Sequence, residues 1–205
     1  MEAIETLMFE HRFIERGLDA LEGFTRTLHG QDGREELGRF VRFLRGFADR
    51  LHHGKEEDLL FTRMSEVGFP KDSGPIAVML HDHDAGRALV TEMDELSRRP
   101  QAWSDAEAAR VAEAASRFAT LLRDHIRKED RILYPMAEEH LSPQALDALG
   151  VEFDRHAAEH TTAERELTEL GAALMTRWSP DPESACPPSE CGTCAGCGGL
   201  PAEDF

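Results

Sequence analysis

Hydrophobic residues recur at three- and four-residue intervals along most of the chain, and clusters of Val, Ile and aromatics of strand type are missing, so the pattern predicts helices and no sheet. The first helix is expected over roughly residues 3–28, where Ile4, Leu7, Met8, Ile14, Leu18 and Leu21 share one stripe and the stretch HGQDG ends it. A second is expected over roughly 34–66, with Leu37, Val41, Leu44 and Leu59 apolar, stopping before the Gly and Pro of GFPKDSGP. Pro75 suits the first turn of a third helix, because the N–H its ring lacks would have no intrahelical partner there; this helix runs to about Arg99. Ser104 caps a fourth that carries Val111, Phe118, Leu121, Leu122, Ile132 and Met136, and Pro135 is expected to bend or loosen its last turns. Ser142 and Pro143 open a fifth that continues to about Arg177. Long helices with short connections predict an all-α fold over residues 1–177, an up-and-down four-helix bundle with an additional fifth helix packed on it. Residues 178–205 turn to Pro, Gly, Ser and Cys and read as a Cys-rich C-terminal tail.

Polar residues break the apolar stripes at matching places. Residues 52–62 read HHGKEEDLLFT and residues 125–135 read HIRKEDRILYP, so that His52 matches His125, Lys55 matches Lys128, Glu56 matches Glu129, Glu57 matches Asp130 and Phe61 matches Tyr134. Residues four apart on a helix share a face, which lets His52 with Glu56, and His125 with Glu129, aim an imidazole and a carboxylate at one point. Their stripe positions turn them inward: His125 follows Phe118, Leu121 and Leu122 at helical intervals, and His52 follows Val41, Leu44 and Ala48. His11 lies amid the stripe of Leu7 and Ile14, and on the third helix His83 is flanked by Ile76, Met79, Leu80 and Val90, whereas His81 faces the other way. Any one of these could be a hydrogen-bonded core histidine. Four converging imidazoles and two carboxylates without metal would be a costly cluster of buried polar groups, so the pattern points to a two-metal centre, for which imidazole and carboxylate donors suit iron, zinc or manganese.

Charge narrows the partners. The 205 residues carry a formal net charge of -17, which repels phosphate backbones and anionic lipid, so neither nucleic acid nor a membrane surface is an expected partner. The opening MEAIETLMFEHRF has no basic segment followed by an apolar run, and the expected location is cytoplasmic. All four cysteines, Cys186, Cys191, Cys194 and Cys197, lie in the tail, so no disulfide framework holds the core. Their C-x4-C-x2-C-x2-C spacing suits zinc or an iron–sulfur cluster, and equally a redox-sensitive tail without metal.

The combination of His11, HHGKEE, His83 within MLHDHDAGR and HIRKEDRILYP resembles the hemerythrin-like, or HHE cation-binding, domains, over roughly residues 3–140. The resemblance implies a non-haem di-iron site, with His11, His52, His83 and His125 as terminal ligands and Glu56 and Glu129 as bridges. The oxygen carriers of that family place two histidines one turn apart on the third helix; this chain does not, and the resemblance offers His53 as the missing nitrogen, with Glu15 as an alternative ligand or an acceptor orienting an imidazole. His81 is a further alternative, and Asp130 competes with Glu129 as the bridge. Outside the shared pattern, His156 and His160 lie one turn apart on the fifth helix and are expected to form a hydrogen-bonded pair.

Two functions from different classes stand ahead of a structural zinc bundle, which the carboxylates disfavour because closed zinc sites rely on Cys and His. One is a di-iron protein that binds, reduces or senses O2, NO or peroxide, with an electron-transfer partner if it turns over. The other is an iron store or donor for iron–sulfur cluster repair under oxidative or nitrosative stress. Whether the chain is an enzyme is left open by the sequence.

Overall fold

The computed structural model describes residues 3–28 and 32–178, and the tail cysteines Cys186, Cys191, Cys194 and Cys197 lie outside the described residues. Five helical rods account for nearly all of it: α1 (Ala3–Thr25); α2, continuous through Arg34–Phe43, Leu44–His53, Glu56–Leu60 and Phe61–Glu66; α3 (Gly74–Ser97); α4, continuous through Asp105–Lys128, Glu129–Leu133 and Tyr134–His140; and α5 (Pro143–Trp178). No strand occurs among the described residues, and none of their helices is long and apolar enough to cross a membrane.

The ends of the rods are set locally. At the close of α2, Gly68 takes φ 104°, which lets its N–H reach the Ser65 carbonyl (3.1 Å) and the Phe69 N–H reach that of Met64 (3.1 Å), a Schellman closure that an L side chain at position 68 would strain. Ser104 starts α4 with a reciprocal capping box with Glu107, Pro75 sits in the first turn of α3, and the Ser142 hydroxyl accepts the Ala145 N–H at the start of α5 (3.2 Å).

The interior of two rods departs from the expected α-helix. In α2 the Phe61 N–H bonds the Glu56 carbonyl, and in α4 the Tyr134 N–H bonds that of Glu129, each five residues back, so both copies of the repeated motif pass through a π-helical turn. The loosening expected around Pro135 therefore lies one turn earlier, at Glu129–Leu133. Proline is not its cause, because α2 makes the same turn with Thr62 at the corresponding place. Such turns insert an extra residue and rotate the helix beyond them, and they concentrate at functional sites.

Neighbouring rods run antiparallel, as the cross-links show. Arg87 meets Asp49 (2.8 Å) while Arg45 meets Asp94 between α2 and α3; Arg110 meets Glu92 (2.8 Å) while Lys128 meets Asp82 between α3 and α4; Arg123 meets Glu22 (3.0 Å) while Arg12 meets Asp130 between α1 and α4. Exposed pairs of this kind fix register more than they stabilise. Rod α5 lies across α1 and α2, antiparallel to α2, with Arg63 on Glu152 (2.6 Å) and Arg42 on Glu166 (2.9 Å). Its close approach depends on two glycines: a Cβ at Gly17 would stand 2.5 Å from Phe43 Cε1, and one at Gly171 2.7 Å from Phe43 Cε2, so the Phe43 ring fills a slot cut by both.

Two apolar clusters make up the core. Phe13, Phe40, Phe43, Phe47, Met93, Phe118 and their neighbours form the larger one, and Leu7, Leu60, Phe61, Met64, Ile76, Leu133, Tyr134 and Phe153 belong to the smaller. On every rod of the four-helix bundle the chain passes from one cluster to the other through a polar belt: His11 in α1, His52 to Glu56 in α2, His83 in α3 and His125 to Glu129 in α4, all buried apart from partly covered Gly54 and the residues facing outward between His125 and Glu129.

Gly171→Val should lower stability by about 1–3 kcal/mol, the usual range for overpacking a filled core, despite the better helix former. Thermal or urea unfolding measures it, and an unchanged or raised midpoint would contradict the slot.

Candidate metal centre

The belt gathers seven groups that the sequence singles out, His11, His52, His53, Glu56, His83, His125 and Glu129, each 7% exposed or less. They fall into two sets whose facing atoms lie within 4.8 Å of one another: His53, Glu56, His83 and His125, and His11, His52, Glu56 and Glu129. Glu56 belongs to both. Its Oε2 is 3.5 Å from His83 Nε2 and 3.7 Å from His52 Nε2. Glu129 Oε2 likewise stands 3.1 Å from His125 Nε2 and 3.2 Å from His11 Nε2, so each carboxylate touches one imidazole of each set.

Every ring is held from behind by an acid. His11 Nδ1 is 2.7 Å from Asp130 Oδ1, His52 Nδ1 2.9 Å from Glu10 Oε2, His83 Nδ1 2.6 Å from Glu57 Oε1, and His125 and His53 Nδ1 face Asp82 and Asp49 at 3.5 Å. A carboxylate hydrogen-bonded to Nδ1, as at His11, His52 and His83, fixes the tautomer that leaves Nε2 bare toward the centre. Each acid is in turn held by a cation: Asp130 by Arg12, Glu10 by Lys55, Asp82 by Lys128, and both Asp49 and Glu57 by Arg87.

The repeat is explained by these contacts. His52 and Lys55 of the first copy grip Glu10 on α1, while Glu57 of that copy grips His83 on α3. His125 and Lys128 of the second copy meet Asp82 on α3, while Asp130 grips His11 on α1. The partner helices thus each offer an acid followed directly by a histidine, Glu10-His11 and Asp82-His83. The aromatic positions correspond as well: Phe61 stacks on His83 (centroids 6.1 Å apart) and Tyr134 on His11 (5.4 Å). Only Tyr134 carries a hydroxyl, which donates to Glu56 Oε1 at 2.6 Å. Burial and the charges of Glu129 and Glu56 push its phenol well above the ordinary range, so it stays a donor.

Sequence reasoning missed the acids Glu10, Asp49, Glu57 and Asp82, although three of them sit beside a belt residue in the chain, at positions 10, 57 and 82. The competitor Asp130 lies behind His11 rather than between the sets. Glu15 faces outward on Arg12 (2.7 Å), and His81 is exposed. His53 joins the first set, its ring stacked on His83 at 3.8 Å. His156 and His160 stay apart from the centre; His160 Nδ1 bonds the His156 carbonyl (2.8 Å), not its ring.

The side chains of the centre do not satisfy one another. Glu56 Oε2, both oxygens of Glu129, both nitrogens of His53 and His125 Nδ1 are buried without a hydrogen bond, although buried polar groups nearly always have one. His83 and His125 point Nε2 at Nε2, 3.1 Å apart. Burial opposes charge on His11, but its hydrogen bond to Asp130, its close contact with Glu129 and the nearby Glu56 outweigh it and raise its pKa to about 9. At His125 burial is outweighed by the charge of Glu129 and by contacts with Asp82 and Glu129, giving about 10. Burial and the neighbouring His83 push His53 down to about 3. Despite burial, the surrounding imidazoles hold Glu56 well below the usual carboxylate range. Protons on His11 and His125 thus balance two buried anions, and cations in their place would meet five imidazoles and two carboxylates, a donor set that fits iron.

A cavity of about 240 Å³ between α2, α3 and α4 reaches this belt, with His53 and His83 in its lining and an apolar floor of Val90, Phe118 and Leu122. Neither His11 nor His52 lines it.

Residues 2–137 match the family model described as the hemerythrin HHE cation binding domain, a stretch that contains all seven groups of the centre. No curated protein and no solved structure matches the chain.

The metal-free protein should lose stability as pH rises from 7 to 10. Groups whose folded pKa is raised stabilise fully below the unfolded value near 6.5, and that contribution vanishes as pH passes through about 9 for His11 and about 10 for His125. Thermal unfolding across this range, with and without added metal, checks it: a flat profile for the metal-free protein would show that these rings carry no proton. Metal uptake at pH 7 should also release protons into a weakly buffered indicator solution.

Proposed function

The chain belongs to the hemerythrin HHE cation-binding family, and on that premise we propose that it is a cytoplasmic di-iron protein that binds a small ligand, O2, NO or peroxide, and reduces or senses it. The observation that carries this reading is the pair of overlapping donor sets, joined by two carboxylates and left with unpartnered atoms that face one another. In it His53, His83 and His125 would help to hold one iron ion and His11 and His52 another, with Glu56 and Glu129 as donors between the two sets. A pair of ferrous ions, when bound, supplies two electrons to a ligand at an open position.

The residues of the chain do the rest. Acids hydrogen-bonded to Nδ1 of His11, His52 and His83 keep those imidazoles aimed inward, so little reorganisation is needed there when charge at the centre changes. Tyr134 holds Glu56 Oε1 and leaves Oε2 facing the two sets. The two apolar clusters exclude water on either side, and the cavity beside His53 and His83 offers a small molecule a way in. That depth favours retained metal over a donor that releases iron for cluster repair.

Protein loaded with ferrous iron under anaerobic conditions should hold about two irons per chain, as two carboxylate-joined sets require. His125→Ala should lose half of this or more. His140→Ala should lose none, since His140 is exposed and its Nδ1 bonds the Met136 carbonyl at 2.9 Å, away from the centre. Metal analysis with absorption spectra before and after oxygen or NO reads both; equal iron in the two variants, or no spectral response, would refute the assignment.

A further inference from the structure

Rod α5 carries a polar interruption that the metal centre does not use. Its inner face has Phe153 in the smaller apolar cluster and Leu167 in the larger, and between them, at helical intervals, come His156, His160 and Glu164, all partly covered. The outer rod thus passes from one cluster to the other through polar residues, as the four inner rods do. His156 stands over Gly54 of the belt, its Nε2 3.8 Å from where a Cβ on that glycine would lie. Next to Gly54, Lys55 reaches over the Phe153 ring at 5.7 Å and is held by Glu10.

The two imidazoles lie one turn apart, with ring centroids separated by 4.4 Å and planes tilted by 31°. His160 Nδ1 is 2.8 Å from the His156 carbonyl, and because a carbonyl can only accept, that nitrogen carries the proton and Nε2 keeps its lone pair. Burial, with His160 and Lys55 nearby, lowers the pKa of His156, so its ring is neutral at pH 7 as well. Two histidines four apart on one helix face are the arrangement in which helical zinc motifs give both rings to one ion, and HAAEH at residues 156–160 has the H-x-x-E-H spacing of one such class. A carboxylate follows one turn later: burial raises the pKa of the half-buried Glu164, a group that a cation would relieve. Glu10, Glu159 and Glu164 draw a cation toward these rings, and Lys55 opposes it.

From this geometry we propose that His156 and His160, with Glu164, hold a divalent transition-metal cation such as zinc on the outer rod, separate from the centre inside the bundle. Imidazole and carboxylate donors suit such an ion, and three of them leave a fourth position to water. Partial exposure of all three groups lets the ion exchange with solution, whereas the donors of the centre are buried. The site does not depend on the iron reading, because neither histidine belongs to the donor sets of the centre.

Calorimetric titration of zinc into the untagged full chain, its centre first saturated with metal, tests the site. The wild type should bind one zinc ion per chain more than His160→Ala, and Glu164→Gln should bind that ion about tenfold more weakly or worse. Any ion taken by the tail cysteines is common to all three proteins and cancels in the difference. A second measurement needs no variant: zinc should shift the imidazole NMR signals of His156 and His160 together and leave that of the exposed His140 in place. Equal stoichiometry in wild type and His160→Ala, unweakened binding in Glu164→Gln, or unmoved His156 and His160 signals in the wild type would each overturn the proposal. Should the centre take up no metal, the iron reading fails by itself, and the difference of one ion between wild type and His160→Ala remains.

Discussion

Two carboxylates, Glu56 and Glu129, are buried completely in the middle of a helical bundle, and the rest of the structure is arranged around that fact. Removing an ion from water costs several kcal/mol even after relaxation, and a buried charge left unpaired is among the most damaging features a fold can carry. The apolar clusters on either side supply the opposing force, since each fully buried large side chain, of which Phe13, Phe40, Phe43 and Phe61 are four, contributes about 1.5–3 kcal/mol. Hydrophobic burial can hold the belt in place, but it cannot satisfy it. That task falls to a graded set of polar contacts running outward from carboxylate to imidazole, to acid, and to a lysine or arginine near the surface.

This grading accounts for the repeated segment. Each position of the H-x-x-K-E-[ED] pattern has a separate duty: the histidine and lysine share an acid of the neighbouring rod, the glutamate lies between the donor sets, and the last acid supports a histidine of the other neighbour. Helices α1 and α3 need only present an acid and a histidine in succession. Four rods are thereby tied into one ring by contacts of two kinds, each used twice. The π-helical turns fit the same scheme, because the extra residue at Glu56–Leu60 and Glu129–Leu133 changes the rotation between the glutamate and the aromatic that packs against a ring.

Much of this was legible in the sequence for a simple reason: helical period is local, so an apolar stripe shows directly which histidines face the core. The inward aim of His11, His52, His83 and His125, the caps at Ser104 and Ser142 and the five rods could all be read that way. The supporting acids could not, because which side of Glu10 or Asp82 meets a ring depends on how neighbouring rods are rotated, and no single helix records that. The wide turns left no trace either: a side-chain pattern tolerates one inserted residue, and the obvious suspect, Pro135, pointed to the wrong turn. The place of His53 came from resemblance; the fold puts its ring on that of His83, a contact between rods that one helix cannot record.

Among the places where the near-duplication breaks are Phe61 against Tyr134, His53 against Ile126, and Asp49 against Leu122. Two of these departures fall on opposite sides of the belt: His53 lines the cavity and Ile126 does not, while Phe61 stacks on His83 beside the cavity and Tyr134 on His11 away from it. An additional neutral nitrogen sits on one side, and a phenol withdraws electron density from the shared glutamate on the other. Cations held by these twin segments would therefore meet unequal surroundings, three imidazoles in one set and two in the other.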